Sequence, residues 1–336
     1  MTDTDRLTIL VCAFNEASNL PLSHAQLLAV LQPLLDVSWR ILYVDDGSTD
    51  QTWQIIESFA YNDARVCGLR LSRNFGKEFA MSAGIDAVDE GALVLMDADG
   101  QDPPTLINDF IVHWRKGYDN IYGLRSGRDG ERWFKRTSAA AFYRLIALLS
   151  PTPIPTDTGD FRLLSPRAVS ALRQLRERHR FMKGLFGWIG FNQIGLPYQR
   201  LPRMRGHSKY TVWRLWNFAL EGITSFSTIP LRFATYLGLL TACIAFIYGS
   251  WVVVRALLMG NRVPGWPSLM AVIVFLGGIQ LIALGLIGEY LGRLFDEVKQ
   301  RPLYVLRQRI GLIEGQSVNA ARATMPGTTP LEEPLE

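Results

Sequence analysis

Short apolar runs alternate with longer amphipathic stretches over the first part of the chain, and each apolar run ends in a polar cluster. Four apolar runs have the length of buried strands: 7–14, 40–44, 66–71 and 92–96. Three stretches between them have the length of helices: 20–35, 52–60 and 79–88. This alternation predicts an α/β domain with a mainly parallel sheet and helices on both of its faces.

A polar cluster follows each of the predicted strands. In chain order the clusters begin at Asn15, Asp45, Ser72 and Asp97. Ligands of parallel α/β sheets bind beyond the carboxyl ends of the strands, so we expect these clusters to meet in one crevice. That convergence is the main argument for a functional site, because no single cluster would identify one.

The last cluster carries two carboxylates two positions apart, Asp97 and Asp99, followed by Gln101. Oxygen ligands at that spacing suit Mg²⁺ or Mn²⁺, which bind through one or two carboxylates plus substrate phosphates. Such a pair at a strand end is typical of enzymes that use nucleotide-diphosphate sugars, although Asp pairs also cap helices and close turns. Asp102 precedes Pro103, which forces it to be extended and favours a structural role.

The clusters after the first two strands have two interpretations. The acidic side chains of Glu16 and Asp45 could accept hydrogen bonds from a ribose hydroxyl or a base N–H. Alternatively, Asn15 and its neighbours form turns, with Thr49 or Asp50 capping the next helix. Both can hold, with Asp45 functional and Asp50 a cap.

Two cationic, glycine-bearing segments lie further along the chain, at 123–136 and 203–210. The first contains several basic residues: Arg125, Arg128, Arg132, Lys135 and Arg136. Arginine is the preferred bidentate partner of phosphate, so we expect at least one arginine of 123–136 to bind a phosphate. The alternative for the first segment is a solvated surface. The second segment could close over a diphosphate, or it could be a basic patch beside the membrane.

A lone carboxylate, Asp160, lies between a glycine and an aromatic residue. It could form a structural ion pair with Arg162, or it could belong to the same crevice as the strand-end clusters. The residues themselves leave both interpretations open.

Two uncharged stretches, 233–254 and 263–288, are each long enough to cross the hydrocarbon core of a bilayer as a helix. The alternative is a pair of buried core helices. Basic residues concentrate on one side of the pair: Arg214, Arg232, Arg293, Lys299, Arg301, Arg307 and Arg309. The loop between the stretches carries only Arg255 and Arg262, so the positive-inside rule places both chain ends in the cytoplasm. The polar, acidic start has no signal-peptide pattern.

The sequence therefore predicts five regions in chain order: a cytoplasmic catalytic domain at 1–210, an interfacial amphipathic helix at 211–230, a transmembrane hairpin at 231–292 with spans at about 233–254 and 267–288, a cytoplasmic segment at 293–312 with a short strand at 301–306, and a disordered tail at 313–336. The formal net charge of +4 is explained by basic residues near the membrane, and no nucleic-acid signature is present. The three cysteines lack metal-ligand spacing, which favours reduced thiols.

In combination, these motifs resemble the family 2 glycosyltransferases, which have the GT-A nucleotide-sugar-binding fold, and more narrowly the polyisoprenyl-phosphate glycosyltransferases. The resemblance spans about 6–307 and is carried by these segments: Phe14-Asn15-Glu16, Asp45-Asp46-Gly47-Ser48, Arg73-Asn74-Phe75-Gly76-Lys77-Glu78, Asp97-Ala98-Asp99, Gln101-Asp102-Pro103 and Gly159-Asp160-Phe161-Arg162-Leu163. Four further segments look like the bactoprenol glucosyltransferases of O-antigen glucosylation systems: 181–184, 220–228, 275–280 and 288–290.

The resemblance implies UDP-glucose as the donor, undecaprenyl phosphate as the acceptor, and inversion at the transferred sugar to give a lipid-linked phosphosugar for cell-envelope glycan modification. It implies Mg²⁺ or Mn²⁺ as the cofactor, held by Asp97, Asp99 and Gln101. It implies that the donor is bound by these residues: Phe14, Asn15, Glu16, Asp45, Asp46, Lys77, Asp97, Arg203 and Lys209. The residues it implies for the lipid phosphate are Arg125, Arg128 and Arg136.

The resemblance also implies that Asp99 and Asp160 are catalytic, with Asp160 near the reacting centre. A phosphate monoester is already anionic at neutral pH, so the reaction does not require a strong general base. Asp160 could therefore act as a base or as a positioning group, and the sequence leaves that choice open.

The resemblance further implies a multi-pass protein of the bacterial cytoplasmic membrane that contacts membrane lipid and forms a homotetramer. A flippase and a downstream glycosyltransferase are the expected further partners. Two alternatives stay open: the transfer of another sugar (mannose, galactose, N-acetylglucosamine or an aminoarabinose derivative) and a catalytically inactive membrane scaffold. A processive polysaccharide synthase is disfavoured, because it would need more spans and a Gln-x-x-Arg-Trp motif.

Overall fold

The computed structural model describes residues 6–88, 90–125, 158–178, 180–199 and 265–311, together with parts of 236–258. The strands are β1 (Arg6–Ala13), β2 (Ser38–Asp45), β3 (Val66–Leu71), β4 (Ala92–Asp97), β5 (Asn120–Arg125), β6 (Thr158–Leu164), β7 (Gln193–Tyr198) and β8 (Leu306–Ile310). The helices are α1 (Leu20–Leu31), α2 (Thr52–Asn62), α3 (Lys77–Asp86), α4 (Leu106–Arg115), α5 (Pro166–Gln174), α6 (Met182–Trp188) and α7 (Trp266–Val298).

The strands form one eight-stranded sheet in the order β7-β5-β6-β4-β1-β2-β3-β8. β1 lies between β2 and β4, and all three are parallel, as is the β2–β3 pair. Strand β6 is antiparallel to both of its neighbours, β4 and β5, and β8 is antiparallel to β3 at the edge. The predicted mainly parallel sheet is confirmed. In register, Cys12 near the end of β1 lies beside Asp97 of β4, so the carboxyl ends of the central strands meet at one edge.

Helices cover both faces of the sheet, as the alternation of apolar side chains requires. On β1, Ile9 contributes to one hydrophobic cluster and Leu10 to the other. The first cluster includes buried residues of α1, α2 and α4, and the second includes buried residues of α3, α5 and α6. Each large apolar side chain that is removed from water contributes about 1.5–3 kcal/mol, so these two clusters hold the strand ends in place.

Most element boundaries differ from the predicted ones by one or two residues, and the larger or more consequential differences are at α1, α3 and β8. The first helix ends at Leu31 rather than at residue 35, and α3 begins at Lys77 rather than at residue 79. The short strand predicted within 293–312 is present, but it begins at Leu306 and ends at Ile310 rather than spanning 301–306. Pro302 has no N–H to donate to a ladder, and Val305 uses its carbonyl to accept from Ser72 N at 2.8 Å.

One described helix is long and apolar enough to cross a membrane, over the stretch Phe275–Val298 within α7. The second predicted span, 267–288, lies inside α7, which continues ten residues further to Val298. The first predicted span is described in part and includes the shorter apolar helix Gly238–Tyr248. The predicted interfacial helix at 211–230 and the tail at 313–336 lie outside the described residues.

The chain that follows α7 returns to the eight-stranded sheet. Strand β8 pairs with β3, and the Tyr304 hydroxyl donates to Asp86 Oδ2 at 2.8 Å. At the end of α7, Glu297 Oε1 accepts from the backbone N–H of Arg178 at 2.7 Å. The last described segment is therefore a structural part of the α/β domain.

Candidate active site

Lys77 lies between two carboxylates at the carboxyl edge of the sheet. Its Nζ is 2.6 Å from Oδ1 of Asp97 and 2.5 Å from Oδ2 of Asp160. The three residues come from α3, β4 and β6 respectively, so three separate elements build this cluster. The ion pair recorded for Asp160 is thus with Lys77, and not the alternative pair with Arg162.

Electrostatics keep this cluster ionised. Burial by itself would lower the pKa of Lys77, but Asp160 and Asp97 together raise it well above its usual value. Burial would likewise raise the pKa of Asp160, but Lys77 and Lys183 hold it well below its usual range. At neutral pH the cluster therefore consists of one ammonium and ionised Asp160, and Asp160 has no proton to give.

Two cationic residues of the site were not among the residues predicted from sequence. Arg162 is buried, its Nη2 donates to the Gly159 carbonyl at 2.9 Å, and burial lowers its pKa to about 10. Lys183, in the first turn of α6, also has a lowered pKa because of burial, which the charge of Asp160 partly offsets. The sequence signal that could have indicated both residues is a cation inside an otherwise apolar segment, 161–163 for Arg162 and 181–184 for Lys183.

Glu78 adds a third carboxyl group beside the cluster. Its Oε2 accepts from the backbone N–H of Met182 at 3.1 Å, which ties the start of α3 to the start of α6. Burial raises the pKa of Glu78 to about 8, and the nearby charge of Asp160 acts in the same direction. Near neutral pH Glu78 is therefore mostly protonated.

Asp46 shapes the loop that presents Lys77. Its two carboxylate oxygens accept from the backbone N–H groups of Phe75 at 2.8 Å and Gly76 at 2.9 Å. Gly76, with φ of 108°, lies directly before α3 and adopts a conformation that favours glycine. We predicted that Asp46 binds the donor, and the bonds that the structure gives it are within this loop.

Asp45 lies at the end of β2 and is fully buried. Its Oδ1 accepts from Ser48 N at 3.0 Å, and its Oδ2 is 3.3 Å from Arg70 Nε. Burial raises its pKa, whereas the hydrogen bonds from Ser48 and the charge of Arg70 oppose that rise. The carboxylate is thus held in one orientation at the strand end.

The loops after β1 and β2 are locked together. Asn15, with φ of 55°, accepts through Oδ1 from Thr49 N at 2.9 Å and donates through its backbone N–H to Ser48 Oγ at 2.9 Å. Asp50 Oδ1 accepts from Thr52 N at 3.0 Å at the start of α2, but the N-cap position is Gln51, so neither Thr49 nor Asp50 is the cap residue that the sequence suggested. These residues define the rim beside Asp45.

Glu16 has a comparable local role at the start of α1. Its Oε2 accepts from Asn19 Nδ2 at 2.6 Å, and its backbone N–H donates to Thr52 Oγ1 at 2.9 Å. Phe14, which precedes this rim, is half-buried. Both residues therefore lie on the strand-end edge at which the sequence placed them.

The predicted metal ligands lie on the short loop after β4. Asp99 Oδ1 accepts from Gln101 N at 3.2 Å, and Gln101 is buried. Among the described residues, no group of three His, Cys, Asp or Glu side chains is placed to hold a metal ion. Two carboxylates and one amide nevertheless fit Mg²⁺ or Mn²⁺, which complete their coordination with water and substrate phosphates.

Asp102 and Arg125 meet through Tyr198. The Tyr198 hydroxyl donates to Asp102 Oδ1 at 2.9 Å, and Arg125 lies opposite Tyr198 in the register of β5 and β7. Burial raises the pKa of Asp102 to about 6, and the charge of Asp97 adds to that rise. The bond to Tyr198 agrees with the structural role expected for Asp102.

Four predicted residues lie outside the described part of the chain: Arg128, Arg136, Arg203 and Lys209.

Comparison with known families places these residues in context. Residues 8–173 match the family described as glycosyl transferase family 2, and residues 229–294 match the GtrB C-terminal hairpin. An uncharacterized glycosyltransferase of Synechocystis is 47% identical over 310 residues, which cover 92% of this chain and 97% of that protein. The SfII prophage-derived bactoprenol glucosyl transferase of Shigella flexneri is 42% identical over 303 residues, which cover 90% of this chain and 98% of that protein.

The chain belongs to glycosyl transferase family 2. This family 2 glycosyltransferase has the GT-A fold, with the mostly parallel sheet described above, followed by a GtrB-type C-terminal hairpin. The hairpin and the apolar helix α7 indicate that the enzyme associates with a membrane.

Among solved structures, the chain is similar to glucosyl-3-phosphoglycerate synthase from Mycobacterium tuberculosis in complex with Mn²⁺, UDP-glucose and phosphoglyceric acid. The two are 17% identical, with a TM-score of 0.44, and the match covers 66% of this chain and 79% of that one.

Proposed function

We propose that this glycosyltransferase transfers glucose from UDP-glucose to undecaprenyl phosphate, with inversion at the anomeric carbon and with Mg²⁺ or Mn²⁺ as cofactor. The observation that carries the proposal is the Lys77–Asp97–Asp160 cluster at the carboxyl edge of the sheet. The choice of a polyprenyl phosphate rests on the bactoprenol glucosyl transferases, to which the chain is about 42% identical along nearly its whole length.

The chemistry requires a nucleophile, a leaving group and a way to stabilise the charge that develops. An oxygen of the lipid phosphate attacks the anomeric carbon from the side opposite UDP, and the bond from that carbon to UDP breaks with its electron pair. A divalent ion held by Asp97, Asp99 and Gln101 would neutralise charge on the leaving diphosphate. Asp45 and the rim at Asn15 and Glu16 would hold the nucleoside.

Asp160 acts as a positioning group in this scheme rather than as a base. Lys77 holds the pKa of Asp160 well below its usual range, so its carboxylate is a very weak proton acceptor at neutral pH. The phosphate nucleophile is already anionic and needs no deprotonation. The ionised Asp160 instead orients Lys77 and the hydroxyls of the sugar.

The membrane arrangement belongs to the same proposal. We infer that the hairpin crosses the bacterial cytoplasmic membrane, with the catalytic domain and both termini on the cytoplasmic side, and docks the site at the lipid surface. Arg125, with Arg128 and Arg136, would hold the lipid phosphate there. A homotetramer, a flippase and a downstream glycosyltransferase complete the proposed assembly.

Sugar transfer by the purified full-length protein tests the proposal. Undecaprenyl phosphate, Mg²⁺ or Mn²⁺ and a panel of radiolabelled nucleotide sugars are incubated with the enzyme, and label is counted in the organic phase. We expect label from UDP-glucose that EDTA abolishes. Label only from another nucleotide sugar would contradict the choice of glucose, and label that survives EDTA would contradict the metal.

Matched variants separate catalysis from an inactive scaffold. Asp99→Asn should abolish transfer, whereas Asp109→Asn, which changes an exposed carboxylate on α4, should leave it unchanged. Full activity of Asp99→Asn would contradict the assigned site, and an absence of label with any donor would favour the scaffold.

A further inference from the structure

Three polar side chains form a chain beside the active site and join the metal-binding loop to the end of β5. The Tyr198 hydroxyl donates to Asp102 Oδ1 at 2.9 Å, and Arg125 is the residue paired with Tyr198 in the register of β5 and β7. A phenolic hydroxyl has one proton and free lone pairs, so it can donate to the carboxylate and accept from the guanidinium at the same time.

The surroundings hold Tyr198 in one orientation. The residue is 6% exposed, and its ring meets the Phe161 ring edge to face, with 6.0 Å between centroids and 77° between planes. A Cβ at Gly123 would lie 2.6 Å from Tyr198 Cε1, so the ring fits only because residue 123 is glycine. Packing of the ring therefore fixes the position of the Tyr198 hydroxyl.

Arg125 is accommodated in the same way. A Cβ at Gly159 would lie 2.8 Å from Arg125 Nη2, so the absence of a side chain there leaves the space that the guanidinium fills. Arg125 Nε is buried and has no hydrogen-bond partner among the described residues. A buried donor without a partner is costly, and such groups in a native structure point to a functional constraint. The guanidinium also lies within the electrostatic reach of Asp102 and Asp160.

We propose that Tyr198 is a positioning residue, which orients the Arg125 guanidinium for the acceptor phosphate and fixes that arginine relative to the metal-binding loop. This inference rests on the proposed function, since the phosphate concerned is that of the lipid acceptor. Asp102 follows the loop of Asp97–Gln101 directly, so one hydroxyl links the residues assigned to the donor with the residue assigned to the acceptor. The distance between the two substrates is then set by side chains within the folded domain.

The substitution Tyr198→Phe tests this role, because it removes the hydroxyl and keeps the ring that packs on Phe161. We expect the KM for the lipid phosphate to rise about ten-fold, the usual scale for the loss of an outer hydrogen-bonding partner. The KM for the nucleotide sugar should rise by a smaller factor. A uniform loss of kcat with both KM values unchanged would contradict the proposal.

Tyr304→Phe is the matched control. Tyr304 also donates its hydroxyl to a carboxylate, Asp86 Oδ2 at 2.8 Å, but it does so at the far end of α3 from Lys77. This variant should leave both KM values unchanged. Equal effects of the two substitutions would mean that the loss in Tyr198→Phe is one of general stability, and would contradict the positioning role.

A double-mutant cycle shows whether Tyr198 acts through Arg125. The losses caused by Tyr198→Phe and Arg125→Lys should not add in the double variant, because the hydroxyl has no further effect once the guanidinium is gone. Losses that add fully would contradict the proposed link.

The last measurement needs no catalysis and therefore separates the inference from the proposed function. Phenylglyoxal modification of Arg125, followed by peptide mass spectrometry of the substrate-free protein, should be several-fold faster in Tyr198→Phe than in the wild type and unchanged in Tyr304→Phe. Equal rates in all three proteins would contradict the role of Tyr198. Faster modification in Tyr198→Phe, together with no transfer to lipid phosphate by the wild type, would support that role and contradict the proposed function.

Discussion

Lys77 and Asp160 form an ion pair, with 2.5 Å between Nζ and Oδ2, although 83 positions separate them in the chain. The pair joins the first residue of α3 to β6, which is antiparallel to the strand that ends in Asp97. The same ammonium also contacts Asp97. One lysine therefore holds together the residue assigned to the metal and the residue assigned to the reacting centre.

Replacement of Lys77 by Met should disable the enzyme. Without the ammonium, Asp97 and Asp160 lose their shared counter-charge and repel one another, and the donor loses a nearby cation. We expect kcat/KM for sugar transfer to fall on the order of 10²-fold, as for the loss of one electrostatic contact in an active site.

Arg176→Met is the control for that experiment. Its guanidinium forms an ion pair with Asp86 at 2.7 Å, at the opposite end of the same helix, so the variant also removes one cation from one carboxylate. It should keep nearly full activity. A comparable loss in both variants would contradict the special role of Lys77.

Gly47→Ala should destabilise the domain more than an ordinary substitution at positive φ. Gly47 has φ of 68°, and a Cβ there would lie 2.3 Å from the backbone carbonyl carbon of Arg73. The left-handed conformation alone costs about 1–2 kcal/mol, and displacement of the Arg73 backbone adds to it. We expect a lower Tm for the variant. We also expect weaker activity, because the displaced Arg73 lies in the loop that leads to Lys77.

Gly117→Ala isolates the contribution of the backbone conformation. Gly117 has φ of 93°, but nothing lies within 4 Å of a Cβ placed there. Thermal unfolding of the two variants should show a clearly larger fall in Tm for Gly47→Ala. Equal falls would mean that the close approach to Arg73 does not matter for stability.

Glu78→Gln should stabilise the protein increasingly as pH rises. Burial raises the pKa of Glu78 in the folded state from its usual 4.5 to about 8, and the charge of Asp160 adds to that rise, whereas the charges of Lys77 and Lys183 oppose it. Between these two pKa values, Glu78 loses its proton in the unfolded chain but keeps it in the folded chain. Ionisation of Glu78 therefore lowers the free energy of unfolding as pH rises through this range. Glutamine does not titrate and still offers an oxygen to Met182 N.

The measurement is the difference in Tm between Glu78→Gln and the wild type at pH 5, 6.5 and 8. The difference should increase in favour of the variant over that series. Glu57→Gln is the control, because Glu57 also accepts a hydrogen bond, from Trp53 Nε1 at 2.6 Å, on a helix away from the site. A flat difference for Glu78→Gln, or the same trend in the control, would contradict the argument.

Removal of the segment that follows α7 should destabilise the catalytic domain. A chain that ends after Val298 loses β8 and the bond from Tyr304 to Asp86, and it exposes the edge of β3. An unpaired edge of this kind also favours aggregation. A chain that ends after Gly311 keeps these contacts and serves as the control. We expect a lower Tm and more aggregation only for the shorter chain, and equal Tm values would contradict the structural role of β8.

The parallel core of the sheet could be predicted from sequence because each central strand is a short apolar run followed by a polar cluster. The period of the side chains and the position of the clusters suffice to place Asp45 and Asp97 at one edge. The same reasoning could not place β8, because its partner β3 lies more than 200 positions earlier and nothing local in Leu306–Ile310 identifies that pairing.

The site itself could be predicted only in part. Sequence spacing indicated Asp97 and Asp160 as separate features, but not that Lys77 joins them. Asp46 looked equivalent to Asp45, yet its two oxygens hold the N–H groups of Phe75 and Gly76. Asp45, the last residue of β2, instead accepts from Ser48 N and lies 3.3 Å from Arg70 Nε, so the two adjacent carboxylates hold different loops.

Mass spectrometry of the lipid product tests the central claim most directly. The full-length enzyme is incubated with unlabelled UDP-glucose, undecaprenyl phosphate and Mg²⁺, and the extracted lipid is compared with that from Lys77→Met. We predict that undecaprenyl phosphate gains the mass of one hexose in the wild-type reaction, and that this product is nearly absent with the variant. An unmodified lipid in the wild-type reaction, or equal amounts of product from both proteins, would contradict the account.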